Sequence, residues 1–143
     1  MGDEIQYSRF NKSDYQQFSS HLKQETALLK SWFKNQQFSS APLTAGYELE
    51  TWLIDRACHP APINETFLAK ANNPLLSPEL AKFNIELNAK PEKLSHKVLS
   101  VFEHKLNDLL QHCTKTAAAL DASIIGIGIL PTLNDHDLTL KNI

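Results

Sequence analysis

The sequence lacks the features that mark several classes of protein. Two cysteines in 143 residues are too few for a disulfide framework, which argues against a small disulfide-stapled secreted protein and suits a reducing compartment. No apolar run approaches the roughly 18 residues that cross a bilayer. Residues 1–6 are polar and contain no apolar signal-peptide core. We therefore expect a cytoplasmic protein without a membrane partner.

Positive charge is also scarce. The only arginines are Arg9 and Arg56, the lysines are dispersed, and the formal net charge is -2. Nucleic-acid binding needs clustered cations that neutralise phosphates, so nucleic acid is not an expected partner. The chain is 42% hydrophobic and 21% charged, an ordinary globular composition. Its length favours a single domain, residues 1–143, with a buried core.

Two carboxylates stand in an apolar, strand-like run at residues 44–55 (TAGYELETWLID). Side chains two residues apart in a strand share a face at roughly 6.5–7 Å, so Glu48 and Glu50 are expected to point together. Two ionised carboxylates in a half-buried space repel each other unless a cation lies beside them. A hard divalent ion such as Mg²⁺ fits this need. The alternative is an edge strand that shows charge to solvent and so avoids aggregation.

A second segment, residues 82–89 (KFNIELNA), has the same strand periodicity. Its apolar residues alternate with Asn84, Glu86 and Asn88, which predicts one core face and one polar face. If the two strands share a sheet, three carboxylates and an amide converge on one surface.

The remaining pattern predicts helices separated by short strands and loops. We expect a helix over residues 14–36 capped by Ser13, a short helix over 64–71 capped by Asn64, and a long helix over 95–120. The first and the last of these helices each have an apolar stripe near helical spacing that is expected to pack, the last one against the sheet. Ser77 before a proline predicts a single helical turn. A strand is expected over residues 122–130, where Gly126 and Gly128 leave one face without bulk.

Three motifs together carry a family resemblance. Residues 46–55 (GYELETWLID), 79–88 (ELAKFNIELN) and 126–132 (GIGILPT) resemble, in order and spacing, the opening of the second glutamate-cysteine ligase family, also called carboxylate-amine ligases. The resemblance implies an α+β fold, part of a glutamine synthetase-like antiparallel sheet with helices on one face. It also implies that the chain is the N-terminal part of a longer catalytic domain, with a helical lead-in (1–40) before the motif-bearing part (43–143).

The resemblance assigns roles to particular residues. Glu48, Glu50 and Glu86 match metal-ligand positions for Mg²⁺ or Mn²⁺, and Glu79 matches a further acidic position. Asn88 matches a substrate-binding position. By the same resemblance Thr132 is the second substrate-binding residue. No residue is assigned as a catalytic acid or base.

The implied reaction is ATP-dependent amide formation. A carboxylate, typically the γ-carboxyl of glutamate, takes the γ-phosphoryl group of ATP, and an amine then displaces phosphate from the acyl phosphate. ATP and small amino acids are the expected partners, and the isolated 143-residue chain is expected to be inactive. The identity of the acid and amine stays open, as does assembly into a homo-oligomer.

The third motif departs from the family pattern. Leu130 stands where many members have a histidine. This favours, as an alternative, a non-catalytic metal- or ligand-binding regulatory module of the same fold, and a purely structural interaction domain is a third reading. Cys58 next to His59 lacks the four regularly spaced ligands of a zinc site, and His136 fits a solvated turn better than a cation site.

Overall fold

A computed structural model of the chain describes residues 9–95 and 97–143. They form two compact units that divide between Ala41 and Pro42. No helix among these residues is long and apolar enough to cross a membrane.

The described part of the first unit, residues 9–41, contains one helix, α1 (Lys12–Lys34). Asn11 caps it, because its side chain accepts hydrogen bonds from the backbone N–H groups of Ser13 and Asp14 while the Asp14 carboxylate accepts from the Asn11 N–H. This capping box moves the start of the helix two residues ahead of the predicted start at 14, so Ser13 is not the cap. The apolar stripe expected to pack is exposed, since no residue of α1 is buried.

The second unit contains two antiparallel sheets and two helices, which confirms the α+β class. Its elements are, in order, β1 (Thr44–Ala45), β2 (Glu48–Ile54), α2 (Asn64–Ala71), β3 (Leu76–Pro78), β4 (Asn84–Asn88), β5 (Glu92–Lys93), α3 (Val98–Ala118) and β6 (Ser123–Ile125), followed by a short 3-10 helix (Leu140–Asn142). Strands β1 and β5 pair with each other, and the larger sheet has the order β3-β4-β2-β6.

The alternation predicted for β2 and β4 is confirmed. Thr51, Leu53, Ile85 and Leu87 are buried on one face of the sheet, whereas Glu48 and Glu50 are exposed on the other. A period of two residues therefore separates a core face from a polar face in both strands.

Helices α2 and α3 supply the rest of the core. The apolar stripe predicted on the long helix is confirmed, since Leu109, Cys113 and Ala117 are buried and recur at helical spacing. These residues join one cluster with inward residues of β2, β3, β4 and α2: Leu53, Phe67, Ala71, Leu76, Ile85 and Leu87. The helices thus cover the face of the sheet opposite the glutamates.

Asn64 begins α2 but does not cap it, contrary to prediction. The helix starts after Ile63 without a side-chain cap. The Asn64 side chain is buried, and its amide nitrogen lies 3.4 Å from the carbonyl oxygens of Ala81 and Asn84. This residue therefore ties the helix to the segment that leads into β4.

Two predicted elements differ from the structure. The predicted turn at Ser77 is wrong, because Ser77 lies in edge strand β3 opposite Glu86 and Pro78 lies opposite Ile85. The predicted strand over 122–130 ends at Ile125. Beyond it, the carbonyl of Ile127 accepts the indole N–H of Trp52 at 3.0 Å instead of continuing the strand ladder.

Candidate functional site

The uncovered face of the larger sheet brings the predicted acidic residues together. Glu50 of β2 lies directly opposite Glu86 of β4, which lies opposite Ser77 of β3, so the three residues form a row across three strands. Glu48 and Asn88 form the next row. Opposed residues of antiparallel strands have Cβ atoms about 4.5–5.5 Å apart. The predicted convergence is therefore present. We call these residues and the adjacent Glu79 the acidic surface.

Two carboxylates in direct opposition on neighbouring strands repel each other, and this repulsion must be offset by other interactions. Like charges opposite each other destabilise a strand pair, and Glu50 and Glu86 hold such positions. Within residues 9–95 and 97–143, no lysine, arginine or histidine lies within 4 Å of either carboxylate. Negative charge therefore accumulates at this place on the sheet.

A chain of hydrogen bonds orients Glu86. The Asn88 amide donates to the Ser77 hydroxyl at 2.8 Å, and that hydroxyl donates to Glu86 Oε1 at 2.9 Å. Hydrogen bonding by Asn88 and then Ser77 stabilises the ionised carboxylate and lowers the pKa of Glu86. The Glu86 side chain is thus charged and fixed in direction at neutral pH.

The pKa of Glu79 is shifted in the opposite direction to that of Glu86. Burial raises its pKa, and the neighbouring carboxylates Glu86 and Glu50 raise it further, although the Leu80 N–H that bonds the Glu79 carboxylate acts against this. The Glu79 carboxylate therefore lies close enough to Glu50 and Glu86 for their negative charges to raise its pKa. The further acidic residue, Glu79, thus belongs to the same surface as Glu50 and Glu86.

The arrangement is an open one. Among the described residues, no group of three or more His, Cys, Asp or Glu side chains is arranged to hold a metal ion on its own. A closed protein cage for a cation is therefore absent from that part of the chain. Carboxylate oxygens nevertheless remain the ligand type that Mg²⁺ prefers, and Mg²⁺ commonly takes only one or two of them together with phosphate oxygens.

An aromatic pair borders the acidic surface. Trp52 lies two residues beyond Glu50 on β2, opposite Asn84, and its ring stacks on Phe83 with centroids 5.3 Å apart and planes 6° apart. The hydrogen bond from its indole N–H to Ile127 fixes the ring. The surface is therefore flanked by a rigid apolar platform.

A recess adjoins the other end of the acidic surface. It has a volume of about 560 Å³ and is lined by Glu48 and Asn88 together with Tyr47 and Pro91. Gly46 also lines it, and a side chain there would meet the carbonyl oxygen of Ala89 at 3.4 Å. Asn88, the predicted substrate residue, thus faces a space that a small molecule could enter.

The third motif does not reach the acidic surface. Thr132 donates its hydroxyl hydrogen to the carbonyl of Cys58, in the loop that follows β2 at Ile54. It therefore lies near the opposite end of β2 from Glu48. Leu130 is 4% exposed and belongs to the interior. The side chain at the position where the resemblance predicts a histidine is thus withdrawn from solvent.

Ser77 is the site residue that sequence reasoning missed. The Ser-Pro pair is typical of a helix start, and this interpretation hid its strand position. The available signal was its spacing of two residues from Glu79, which places both on one side of an extended segment.

The remaining candidates form local contacts. The Asp55 carboxylate accepts the backbone N–H groups of Ala57 and His59, so it shapes the loop that carries Cys58. His136 is exposed and lies 3.6 Å from Asp137 in a turn.

No family model, curated protein or solved structure matches this chain. Function is therefore inferred from the acidic surface and its surroundings.

Proposed function

We propose that this chain is the N-terminal part of an ATP-dependent carboxylate-amine ligase of the glutamate-cysteine ligase type. In this proposal the antiparallel sheet is part of a glutamine synthetase-like cup. The observation that carries it is the alignment of Glu50, Glu86 and Ser77 in one row, with Glu48 and Asn88 beside them, on a sheet face opposite the helices.

The donor set supports a magnesium-nucleotide complex rather than a resident metal. Carboxylates that face solvent across an open sheet can contribute one or two ligands each, while phosphate oxygens complete the coordination. This agrees with the lack of a three-ligand cage among the described residues. Glu50 and Glu86 would hold the Mg²⁺ of such a complex, which would offset the negative charge that develops in phosphoryl transfer.

The residues of the chain have positional and electrostatic roles in this proposal. Glu86 is ionised and held by Ser77 and Asn88, so its carboxylate is directed before any ligand arrives. Glu50 faces it across the strand pair, and Glu48 lines the neighbouring recess. None of these side chains acts as a general base. The acid and amine would be small amino acids held partly by Asn88.

Metal binding by the chain itself is the first test. Titration with Mn²⁺ in the presence of ATP, followed by electron paramagnetic resonance, should show saturable binding to the 143-residue chain. The double variant Glu50→Gln/Glu86→Gln should weaken it by about tenfold or more, because carboxylate ligands are lost. Glu103→Gln, on the exposed side of α3, is the matched control and should bind as the wild type does.

Turnover is the second test. ADP release should be measured with ATP, Mg²⁺, glutamate and a panel of amines on the whole gene product that contains this chain. Release that needs both acid and amine, and is lost in Glu50→Gln, is the expected result. Absence of release from a folded protein that binds Mn²⁺-ATP would overturn the enzyme assignment.

Burial of Leu130 favours one second candidate, a non-catalytic module that binds metal and nucleotide without turnover. Binding without ADP release would support it. A purely structural interaction domain predicts that neither test gives a signal.

A further inference from the structure

No residue of helix α1 is buried, although one side of the helix is largely apolar. Six large apolar side chains recur on this side, with exposed fractions between 41% for Trp32 and 68% for Phe33. At about 100° per residue they occupy an arc of about 100° around the helix. We call them the α1 stripe: Tyr15, Phe18, Leu22, Leu29, Trp32 and Phe33. An exposed apolar patch that extends along a whole helix marks an interaction site.

Aromatic residues hold both ends of the helix. Phe10 lies just before the cap residue Asn11, and its ring meets that of Tyr15 edge-on with centroids 6.3 Å apart, which is a hydrophobic staple. Beyond the other end, Phe38 packs on Phe33 with centroids 4.6 Å apart. Local sequence therefore specifies where α1 begins and ends. Most helical stability in proteins nevertheless comes from packing of an apolar face, so the stripe requires a partner.

One charged residue restricts the chemistry of that partner. Glu25 interrupts the stripe, because it lies three residues after Leu22 and four before Leu29. A lipid surface is a poor partner, since the Glu25 carboxylate would be drawn toward the acyl chains together with the stripe. Between two protein helices, a single polar residue in an apolar seam instead selects the pairing and its orientation.

The spacing of the stripe fits a second copy of the same helix. With Glu25 included, its residues alternate by three and four positions from Tyr15 to Trp32, as in the seam of paired helices. When two copies run antiparallel, Tyr15 meets Trp32 of the second copy, and the other facing pairs keep the same register: Phe18 with Leu29, and Leu22 with Glu25. The face is therefore complementary to itself, as a two-fold interface requires.

Charge favours the antiparallel over the parallel arrangement. A parallel pair would place Glu25 directly opposite Glu25 of the second copy, where the two carboxylates repel each other. In the antiparallel pair Glu25 faces Leu22 of the second copy, and the adjacent His21 offers an imidazole N–H to the carboxylate. The two helix dipoles also oppose each other in this orientation.

The available area agrees with a reversible dimer. The six side chains leave roughly 600 Å² exposed on each copy, since an aromatic side chain alone has about 150–250 Å² of surface. Two copies would bury about 1,200 Å² in total, at the lower end of specific protein interfaces. Such an area corresponds to a dissociation constant on the order of 10 µM rather than to a permanent complex.

We propose that two copies of this chain associate through the α1 stripe as an antiparallel pair of helices. The contact requires neither metal nor ATP and uses no residue of the acidic surface. It therefore goes beyond the proposed ligase function and does not depend on it.

The first test is sedimentation equilibrium of the 143-residue chain without metal or nucleotide. Concentrations from about 2 to 200 µM bracket the expected dissociation constant. We expect a monomer–dimer equilibrium with no larger species, because the interface closes on itself. Circular dichroism over the same range should show helix content that rises with dimer formation.

Three variants test the contact and its orientation. Leu22→Glu places a second carboxylate against Glu25 of the other copy and should weaken the dimer by at least about 30-fold. Leu22→Lys places an ammonium there and should dimerise at least about tenfold more tightly than Leu22→Glu, whereas in a parallel pair position 22 faces itself and both changes repel. Ser20→Glu, on the opposite side of the helix, is the control and should stay within about twofold of the wild type.

Four results would overturn the proposal. They are a monomer at every concentration, equal weakening by Leu22→Glu and Ser20→Glu, equal weakening by Leu22→Glu and Leu22→Lys, and a monomeric whole gene product, which would show that the stripe is covered within one polypeptide. Binding of the wild type, but not of Leu22→Glu, to phosphatidylglycerol vesicles would assign the stripe to lipid instead.

The dimer and the ligase proposal fail separately. The double variant Glu50→Gln/Glu86→Gln should dimerise as the wild type does, and Leu22→Glu should retain Mn²⁺-ATP binding. A dispersed amide spectrum of each variant shows that its core is folded.

Discussion

Cys58 and Cys113 differ in surroundings. Cys58 is exposed in the loop after β2, whereas Cys113 is 0% exposed and burial raises its pKa to about 11. The thiolate is the reactive form, so Cys113 is protected twice, by lack of access and by protonation. With a chromogenic disulfide reagent at pH 8, we expect one thiol per chain to react within minutes and the second only after addition of guanidinium. Rapid reaction of both thiols in the native protein would contradict the buried position of Cys113.

Replacement of Glu79 by glutamine is expected to stabilise the protein at neutral pH but not at acidic pH. Its folded pKa lies above the ordinary value of 4.5, so the native state holds more protons than the unfolded state as pH rises from 4.5 through the folded pKa. Stability contributed by Glu79 is therefore lost across that window. Glu79→Gln should raise the melting temperature by about 1–3 °C at pH 7 and leave it nearly unchanged at pH 4.

Glu103→Gln, at an exposed position of α3, is the charge-matched control for Glu79→Gln. Glu86 should behave in the opposite sense to Glu79. Its pKa is lowered, so its contribution is present above 4.5 and is lost as pH falls through the folded pKa. A stabilising effect of Glu79→Gln at pH 4 that equals the effect at pH 7 would contradict this assignment.

At the scale of elements, stability depends on the inward face of β2 and β4. Ile85 is 0% exposed and lies in the core cluster between sheet and helices. Ile85→Ala should lower the free energy of unfolding by about 2–5 kcal/mol, because it removes buried methyl groups and leaves a cavity. Ile129→Ala is the control, since Ile129 is 78% exposed, and should change it by less than about 0.5 kcal/mol. Urea titration followed by circular dichroism measures both, and equal effects would contradict the assigned core.

The elements that sequence reasoning predicted are those with a local periodic signal. The alternation in β2 and β4 and the apolar stripe of α3 depend only on nearby residues, so both could be recognised in advance. The strand β3 could not, because Ser77-Pro78 satisfies the preferences of a helix start and of an edge strand equally. The length of β6 depends on Trp52, which takes the Ile127 carbonyl across the sheet. That contact is not encoded in the segment itself.

The acidic surface was predictable in part for the same reason. Glu48, Glu50 and Glu86 could be placed on polar faces from periodicity alone, but their row depends on the register of β2 against β4, which is a non-local property. The hydrogen bonds of Ser77 follow from that register too. The position of Thr132 depends on how the chain returns after β6, and no local pattern indicates it.

At the scale of the whole molecule, the second unit contains the whole described core. Every residue of the core cluster lies after Pro42, and α1 has no buried residue. A chain of residues 42–143 should therefore unfold in one cooperative transition, as small domains with a single core do. Urea titration should give Ile85→Ala the same loss of stability in the short and the full-length chain, within about 0.5 kcal/mol.

A non-cooperative transition of the 42–143 chain would show that residues 1–41 are needed for the core. Full-length protein with a scrambled order of residues 12–34 is the matched control. It retains the length and composition of the first unit but not the capping box of α1.

The larger sheet has two borders of unequal character. Strand β3 forms one of them and contains Pro78, which has no N–H to offer a further strand, whereas β6 at the other border is Ser123–Ile125 and has no proline. The sheet can therefore accept a further strand more readily at β6 than at β3. An additional strand, whether from the same polypeptide or from another molecule, is expected to pair with β6, on the side of Trp52, and to widen the sheet there. No further strand is expected to pair with β3, on the side of Glu79.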